Sequence, residues 1–296
     1  MKIFDCFMYF DEEVILDLRL NILNPYIDYF IIVESSYTHK GDKRNLKFDI
    51  KKFDRFKEKI IYLTYDEIPI GIEEVFEDDS EDEKSRKLIL NAAHRENGQR
   101  NYISKGLENA QEEDLVLISD VDEIPNLKNL NLKEIKNEII LFKQDMFYYK
   151  LNLKMPDMVW SGTKGCKKRN FKNPQWLRNI KDRKYPIYRL DTFFSEKKYM
   201  NLKFIDNGGW HFSNIKTSEE IEHKLKSYLH HREFDVNPLS ISEIDGLIKN
   251  KEAIYNLKVD KKAQKIGHGN KLNIYDIKKL PSYISSNKEK FKEWID

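Results

Sequence analysis

The segment from Ile27 to Val33 most constrains the fold, because it is a near-continuous apolar run. A strand that is buried on one face alternates apolar and polar residues, whereas a continuous run is typical of a strand buried on both faces in a parallel sheet. Parallel strands need crossover connections. A first strand at Lys2 to Phe10 precedes this run, and an apolar stripe of Val14, Leu18 and Ile22 lies between them. The order strand, helix, strand predicts an α/β fold.

The rest of the chain extends this pattern. We expect Asp11 to cap the first helix, a long helix over Lys84 to Ala110, and a short apolar strand at Leu115 to Ile118. Ile139 to Leu151 is aromatic and strand-like, and from Ser218 onward the chain is predicted to be mostly helical. The expected architecture is therefore a mostly parallel central sheet that is flanked by helices, with a helical C-terminal region.

Composition excludes several functional classes. Lys and Arg number 52 and Asp and Glu 50, so the net charge of +2 argues against a globally basic nucleic-acid-binding protein. An aromatic content of 12% argues against a disordered chain. Two cysteines are too few for a disulfide scaffold, and no CxxC pair suggests zinc. Neither a signal peptide nor a membrane-length apolar stretch is recognisable, so we expect a cytoplasmic protein.

The sharpest chemical feature is Asp120-Val121-Asp122, directly after the apolar strand Leu115 to Ile118. Open α/β sheets bind ligands at the carboxyl ends of their strands. Two carboxylates this close repel each other unless a cation lies between them, and Mg²⁺ or Mn²⁺ prefers such oxygen ligands. The motif therefore suggests a site for a metal and a diphosphate. The alternative is a structural loop in which Asp122 caps a helix that begins at Glu123 to Pro125.

A second motif is Gly208-Gly209-Trp210-His211. The glycines allow a sharp turn or close approach of the backbone to a ligand. His211 is a candidate third metal ligand, and Trp210 is a candidate for stacking on a sugar or a base. The alternative is a turn between two strands with a core tryptophan and a structural histidine.

Polar residues follow the strand Ile27 to Val33 and are candidates for holding a nucleoside. They are Glu34, Ser35, Ser36, Thr38 and His39. Arg95 and Arg100 lie on the helix before the Asp120 strand, where one of them would reach a phosphate or a base; surface ion pairs explain them nearly as well.

The segment from Lys164 to Lys203 carries thirteen Lys or Arg residues against three acids, a local charge of +10. Three interpretations of this segment stay open: it binds an anionic ligand, it contacts an anionic membrane surface, or it is a solvated face without a partner.

Five landmarks, in order, resemble glycosyltransferase family 17, which includes the β-1,4-mannosyl-glycoprotein 4-β-N-acetylglucosaminyltransferases. The resemblance covers about residues 1–235. The landmarks are Lys2 to Glu13 (with Leu16, Arg19 and Leu20), Phe30 to Ser35, Ile118 to Pro125, Asn207 to Ser213 and His231 to Phe234.

This resemblance implies a GT-A type Rossmann-like fold in residues 1–235, with a donor half in 1–126, an acceptor half in 127–235 and a helical extension in 236–296. It also implies a UDP-sugar donor, UDP-N-acetylglucosamine in known members, and Mn²⁺ or Mg²⁺ as cofactor. The β-linked product implies inversion at the anomeric carbon. Asp120 and Asp122 would hold the metal and the diphosphate, with His211 as a further ligand. Glu34, Ser35 and Arg100 would contact the nucleotide.

Such a reaction needs a general base beside the acceptor hydroxyl. Asp206 and Glu233 are the candidates, and Asp145 is an alternative. We expect a glycan or lipid-linked glycan acceptor. Two other functions compete: a glycan-binding module without turnover, and a phosphatase of the haloacid-dehalogenase kind with Asp120 as its nucleophile. The phosphatase usually has Thr or Val four positions after that aspartate, where this chain has Ile124.

Overall fold

A computed structural model describes residues 1–186, 188–192, 194–255 and 269–296. The strands in these ranges are β1 (Ile3–Tyr9), β2 (Tyr29–Ser35), β3 (Ile60–Tyr65), β4 (Leu115–Asp120), β5 (Glu123–Pro125), β6 (Ile139–Tyr148), β7 (Leu153–Lys167), β8 (Leu202–Ile205), β9 (Gly209–Ser213) and β10 (Asn273–Ile274). The α-helices are α1 (Glu13–Leu23), α2 (Glu81–Gly106), α3 (Pro174–Asn179), α4 (Ser218–Ser227), α5 (His231–Val236), α6 (Ile241–Lys249) and α7 (Ser282–Ser286).

The first four strands form the parallel half of the sheet, in the order β3-β2-β1-β4. Strand β2 is buried on both of its faces, as its apolar run predicts. Phe30 and Ile32 pack in one hydrophobic core with α1, and Ile31 and Val33 pack in the core on the opposite face of the sheet. The prediction of an α/β fold is therefore confirmed.

The prediction of a mostly parallel sheet is wrong, because the whole sheet is mixed and curls into a half-barrel. Strand β7 is antiparallel to both β4 and β6, and β5 is antiparallel to β9. The connection between β6 and β7 is only residues 149–152, and so short a link joins antiparallel neighbours. Strands β8 and β9 both pair parallel with β6.

Two local predictions are also corrected. Glu123 to Pro125 forms strand β5 and not the start of a helix, so Asp122 is not a helix cap. Helix α1 begins at Glu13, and no side chain caps its first turn. Asp11 is instead paired with Lys216, which lies just before α4.

The glycine motif positions β9 against β5. Gly209 has a φ of +138°, and a Cβ atom there would lie only 2.1 Å from the carbonyl oxygen of Ile124. Glycine is thus required at position 209 for close contact between the two strands. Trp210 on the same strand packs partly buried against the core on the α1 side.

The C-terminal segment packs on the same side of the sheet as α1. Leu280, Ile284 and Phe291 belong to the core that contains Leu16 and Leu20 of that helix. The division of the chain at residue 235 stays a prediction. In the part of the chain that the structure describes, no helix is both long and apolar enough to cross a membrane.

Candidate active site

A cavity of about 270 Å³ opens where β1, β2 and β4 end. The carboxyl ends of these strands form its base, and β9 and α4 close one side. Its lining combines aromatic side chains with acids and bases, as in Tyr9, Phe10, Glu12, Ser35, Tyr37, His39, Arg44, Glu96, Gln99, Asp120, Asp122, His211, Ser213, Lys224 and Tyr228. This is the position at which α/β sheets bind ligands.

Three of these side chains form one charged wall of the cavity, which we call the wall: Asp122, His211 and Lys224. The Nε2 atom of His211 lies 3.5 Å from Oδ1 of Asp122, and the Nζ atom of Lys224 lies 4.0 Å from its Oδ2. Burial acts to lower the pKa of His211, but the neighbouring acids, led by Asp122, outweigh it and raise that pKa. The sequence motifs around Asp122 and His211 thus converge on one site, because β5 and β9 are paired.

Asp120 lines the same cavity, but two arginines already bind its carboxylate. Arg100 donates to Oδ1 at 3.2 Å, and Arg178 donates to Oδ2 at 2.9 Å. Desolvation acts to raise the pKa of Asp120, but the charges of Arg178 and Arg100 outweigh it and hold the pKa well below its usual range. Asp120 is therefore ionised and neutralised by the protein itself.

A buried network lies beneath the wall, and we call it the floor: Asp5, Arg19, Glu123 and Arg178. The fully buried Glu123 accepts hydrogen bonds from the backbone N–H of Asp120 at 2.9 Å and from the guanidinium of Arg178 at 2.7 Å. Its second oxygen accepts from the indole of Trp160 at 2.6 Å. Glu123 therefore fixes both the turn after β4 and the arginine that binds Asp120.

Arg19 holds the same turn from the other side. It donates two hydrogen bonds to the carboxylate of Asp5, at 2.7 and 2.6 Å, and both side chains are fully buried. Its Nη1 also donates to the carbonyl oxygens of Asp120, Val121 and Glu123, at 3.1, 3.1 and 2.8 Å. A buried charge pair in which all three guanidinium nitrogens of Arg19 are hydrogen-bonded fixes the path of the backbone that carries Asp122.

The wall fits a divalent cation only in part. Two ligands of one Mg²⁺ or Mn²⁺ ion lie about 3 Å apart, near the 3.5 Å between Asp122 and His211. The nitrogen of His211 that faces Asp122 is Nε2. A metal-bound histidine usually donates its other ring N–H to a partner, and the buried Nδ1 of His211 has none among the described residues. Those residues also contain no cluster of three His, Cys, Asp or Glu side chains that would hold a metal alone. The donor set suits a cation that takes its remaining ligands from a bound substrate.

Glu34 does not face the cavity. Its fully buried carboxylate accepts from the backbone N–H groups of Lys47 and Phe48, at 2.7 and 3.0 Å. Arg44 pairs with it at 2.9 Å. Glu34 therefore holds the loop that follows β2, while Ser35 next to it does line the cavity.

Among the other predicted ligand-binding residues, one lines the cavity and two support the structure around it. His39 lines the cavity, with its Nε2 3.1 Å from Oε1 of Gln99, and burial lowers its pKa. Arg95 donates to the carbonyl oxygens of His39 and Lys40, so it supports the loop. Arg100 acts through Asp120, as described above.

The three candidate bases, Asp206, Asp145 and Glu233, have different surroundings. Asp206 is exposed in the turn between β8 and β9 and does not line the cavity. Asp145 pairs with Lys154 at 2.7 Å on the sheet. Glu233 lines a second cavity of about 210 Å³, in which Ser213, Lys224 and Tyr228 are shared with the main one. Of the three candidates, only Glu233 therefore lines a cavity that adjoins the main one.

Sequence reasoning missed several residues of the site. In the sequence Arg178 is one of thirteen cations of the basic segment Lys164 to Lys203, and no local pattern shows that it binds Asp120. Lys224 is a charged residue of α4, and Tyr228 directly follows that helix in its apolar pattern. Both features are equally typical of a surface helix. Their roles arise from contacts between elements that are distant in the chain.

A charged cavity at the strand ends of an α/β sheet is the kind of site at which proteins bind small polar ligands. The model of glycosyltransferase family 17 matches residues 1–295, essentially the whole chain, so the protein belongs to that family. A search of curated proteins found no match. Family membership supports glycosyl transfer, with a sugar donor and a glycan acceptor in general.

Proposed function

We propose that this protein transfers N-acetylglucosamine from UDP-N-acetylglucosamine to a glycan or lipid-linked glycan acceptor, with a divalent cation and inversion at the anomeric carbon. The observation that carries the proposal is the wall, in which Asp122, His211 and Lys224 face one cavity at the ends of β1, β2 and β4. The family match supports the reaction class, and the motif resemblance is the basis for the choice of donor and for a GT-A type fold.

The charges of the wall suit a diphosphate. Lys224 offers a cation to the phosphate oxygens, while Asp122 and His211 would hold Mn²⁺ or Mg²⁺ together with them. When bound, the cation would neutralise negative charge on the departing UDP as a Lewis acid. Polar and aromatic groups of the same cavity, Ser35 and Tyr37, are available for the nucleoside.

The second cavity suits the acceptor. Tyr148, Tyr228 and Tyr255 line it, and aromatic faces with a polar edge pack well against sugar rings. Glu233 lies in this cavity, 3.5 Å from Nδ1 of His230. We assign Glu233 as the general base. Its carboxylate takes the proton of the acceptor hydroxyl while that oxygen bonds to C1 of the sugar, and the bond from C1 to the diphosphate breaks.

A donor screen tests this function. UDP release is measured for a panel of UDP-sugars with mannose- and N-acetylglucosamine-terminated acceptors, in Mn²⁺ and after EDTA. We expect acceptor-dependent release from UDP-N-acetylglucosamine that chelation abolishes. Glycan binding without release from any donor would favour the binding module. Release of phosphate from a generic phosphomonoester would favour the phosphatase. Release that persists after chelation would remove the metal from the mechanism.

A further inference from the structure

The basic segment contains a surface loop, residues 182–196, whose two ends are joined. The structure describes it except at positions 187 and 193. The backbone N–H of Lys181 donates to the carbonyl of Lys197 at 2.8 Å, and the indole of Trp176 donates to the carbonyl of Glu196 at 2.9 Å. Closed ends of this kind define a compact Ω-type loop. The 182–196 loop therefore projects from a fixed base.

That base connects to the active site. The Nζ atom of Lys164 donates to the carbonyl oxygens of Arg178 and Ile180, at 2.6 Å each. Arg178 binds Asp120 through its side chain. The loop thus begins four residues after Arg178, an arginine of the floor.

Polar groups near the tip of the loop are bonded to one another and to Lys198, which lies just after the loop. Asp191 accepts from Arg189 at 2.7 Å and from Lys198 at 2.6 Å. The hydroxyl of Thr192 donates to the carbonyl oxygen of Arg189 at 2.7 Å. These contacts hold the backbone of the loop between Arg189 and Thr192.

Three large apolar or aromatic side chains extend outward from this turn. Tyr188 is 78% exposed, Leu190 is 70% exposed and Phe194 is 91% exposed. A single exposed apolar residue is ordinary, but a group of them marks a surface that binds something.

The loop and its base also carry more cations than acids. The acids of the loop are already paired, Asp182 with Lys143, Asp191 with Arg189 and Glu196 with Lys172. Four cations at the loop and its base have no ion-pair partner among the described residues: Lys181, Arg183, Lys184 and Lys197. The surface therefore combines exposed apolar tips with excess positive charge.

We propose that the 182–196 loop docks the protein on an anionic lipid bilayer. Tyr188, Leu190 and Phe194 would enter the interface between headgroups and acyl chains, and Lys181, Arg183, Lys184 and Lys197 would face the lipid headgroups. Aromatic and aliphatic tips among Lys and Arg are the combination that this interface favours. A nucleic acid would match the cations but would not bury Leu190 and Phe194. The proposal does not depend on the assigned donor or metal.

Vesicle co-sedimentation tests the proposal. Vesicles of phosphatidylcholine alone are compared with vesicles that contain about 30% phosphatidylglycerol, and we expect binding to the anionic vesicles that weakens with salt. The double variant Leu190→Ser/Phe194→Ser should lower the partition coefficient at least tenfold. The double variant Arg183→Ser/Lys184→Ser should lower it about tenfold or more, since each cation near an anionic surface contributes about fivefold.

The control is Ile70→Ser, because Ile70 is 97% exposed on a different loop. Its partition coefficient should equal that of the unchanged protein, and all variants should keep the same melting temperature. Absence of vesicle binding, equal binding to neutral and anionic vesicles, or unchanged binding of Leu190→Ser/Phe194→Ser would each overturn the proposal. A vesicle-free change in oligomeric state in that variant, with no loss of vesicle binding, would assign the surface to a second copy of the chain instead.

Discussion

The wall and the floor contain acids that lie next to one another in the chain and yet have different surroundings. Asp122 in the wall faces the cavity, with His211 and Lys224 at 3.5 and 4.0 Å. Glu123 in the floor is fully buried and hydrogen-bonded to Arg178 and Trp160. The difference shows that an acid whose oxygens are all engaged shapes the backbone, whereas an acid with free lone pairs is available to a ligand. We therefore expect substitutions in the floor to lower the free energy of unfolding and substitutions in the wall to lower the rate of turnover.

The largest effect is expected from Arg19→Met in the floor. The variant leaves Asp5 buried without a partner and removes the donor to three carbonyl oxygens. The free energy of unfolding should fall by about 3–5 kcal/mol, as for other broken buried ion pairs. Urea denaturation measures it.

Arg55→Met is the matched control, because Arg55 is exposed. Its effect should stay within about 0.5 kcal/mol. Arg19→Lys keeps the charge but not the forked donors, and should be intermediate. A loss below about 1 kcal/mol for Arg19→Met would show that the floor does not stabilise the turn.

The second effect concerns Asp122→Asn in the wall. It keeps the shape of the side chain but removes the charge that we assign to the metal and diphosphate. The rate of UDP release should fall about 10²–10³-fold, since the Lewis-acid contribution is several kcal/mol, while the urea midpoint stays unchanged. Asp54→Asn, on an exposed acid of residues 50–59, serves as control. An active Asp122→Asn protein would place the wall outside the reaction.

The third effect separates the candidate bases. Glu233→Gln should lower kcat about 10²-fold with little change in the KM of the donor, because a general base acts on the acceptor proton in the transition state. Asp206→Asn, on the exposed turn, should have the smaller effect. A larger loss of kcat in Asp206→Asn than in Glu233→Gln would reverse the assignment.

The smallest effect is a pH dependence from Lys164, whose Nζ donates to the carbonyl oxygen of the floor residue Arg178. Burial, assisted by the charge of Arg178, lowers the pKa of Lys164 from 10.5 to about 8 in the folded protein. The unfolded chain therefore holds its proton over a range in which the folded chain releases it, and stability from this group rises with pH between 8 and 10.5. Relative to Lys164→Met, the free energy of unfolding should increase by about 2 kcal/mol from pH 8 to about pH 10.

Urea denaturation of both proteins across that range measures this difference. Titrations of other groups are shared by the two proteins and cancel in the comparison. A difference that is flat with pH, or that falls, would mean that Lys164 is not desolvated as the structure shows.

Much of the parallel half could be predicted from sequence, because β1, β2 and β4 are apolar runs long enough to recognise. The antiparallel half could not. Strand β5 has only three residues, and its sequence after Asp122 equally suits the first turn of a helix. Its pairing with β9 is a long-range contact, and that pairing is what places His211 beside Asp122.

Part of the site could also be predicted, because it lies at the ends of the recognisable strands. Strand-end motifs identify Asp120, Asp122 and Ser35 as cavity residues, because strand ends meet at one edge of a sheet. Arg178 lies 58 residues from Asp120, and no local pattern reveals that contact. Glu34 also lies near a strand end, but it is opposite Tyr9 of β1, whereas Asp120 is opposite Met8. The N–H groups of Lys47 and Phe48 engage its carboxylate.

The central claim is that the wall binds the diphosphate of a nucleotide-sugar donor through Asp122 and a divalent cation. Calorimetric titration of UDP into the unchanged protein and into Asp122→Asn, with Mn²⁺ and with EDTA, tests it most directly. The account predicts binding by the unchanged protein in Mn²⁺ that weakens at least tenfold in EDTA and at least tenfold in Asp122→Asn. Equal UDP affinity in all four experiments, or no UDP binding by the unchanged protein in Mn²⁺, would contradict it.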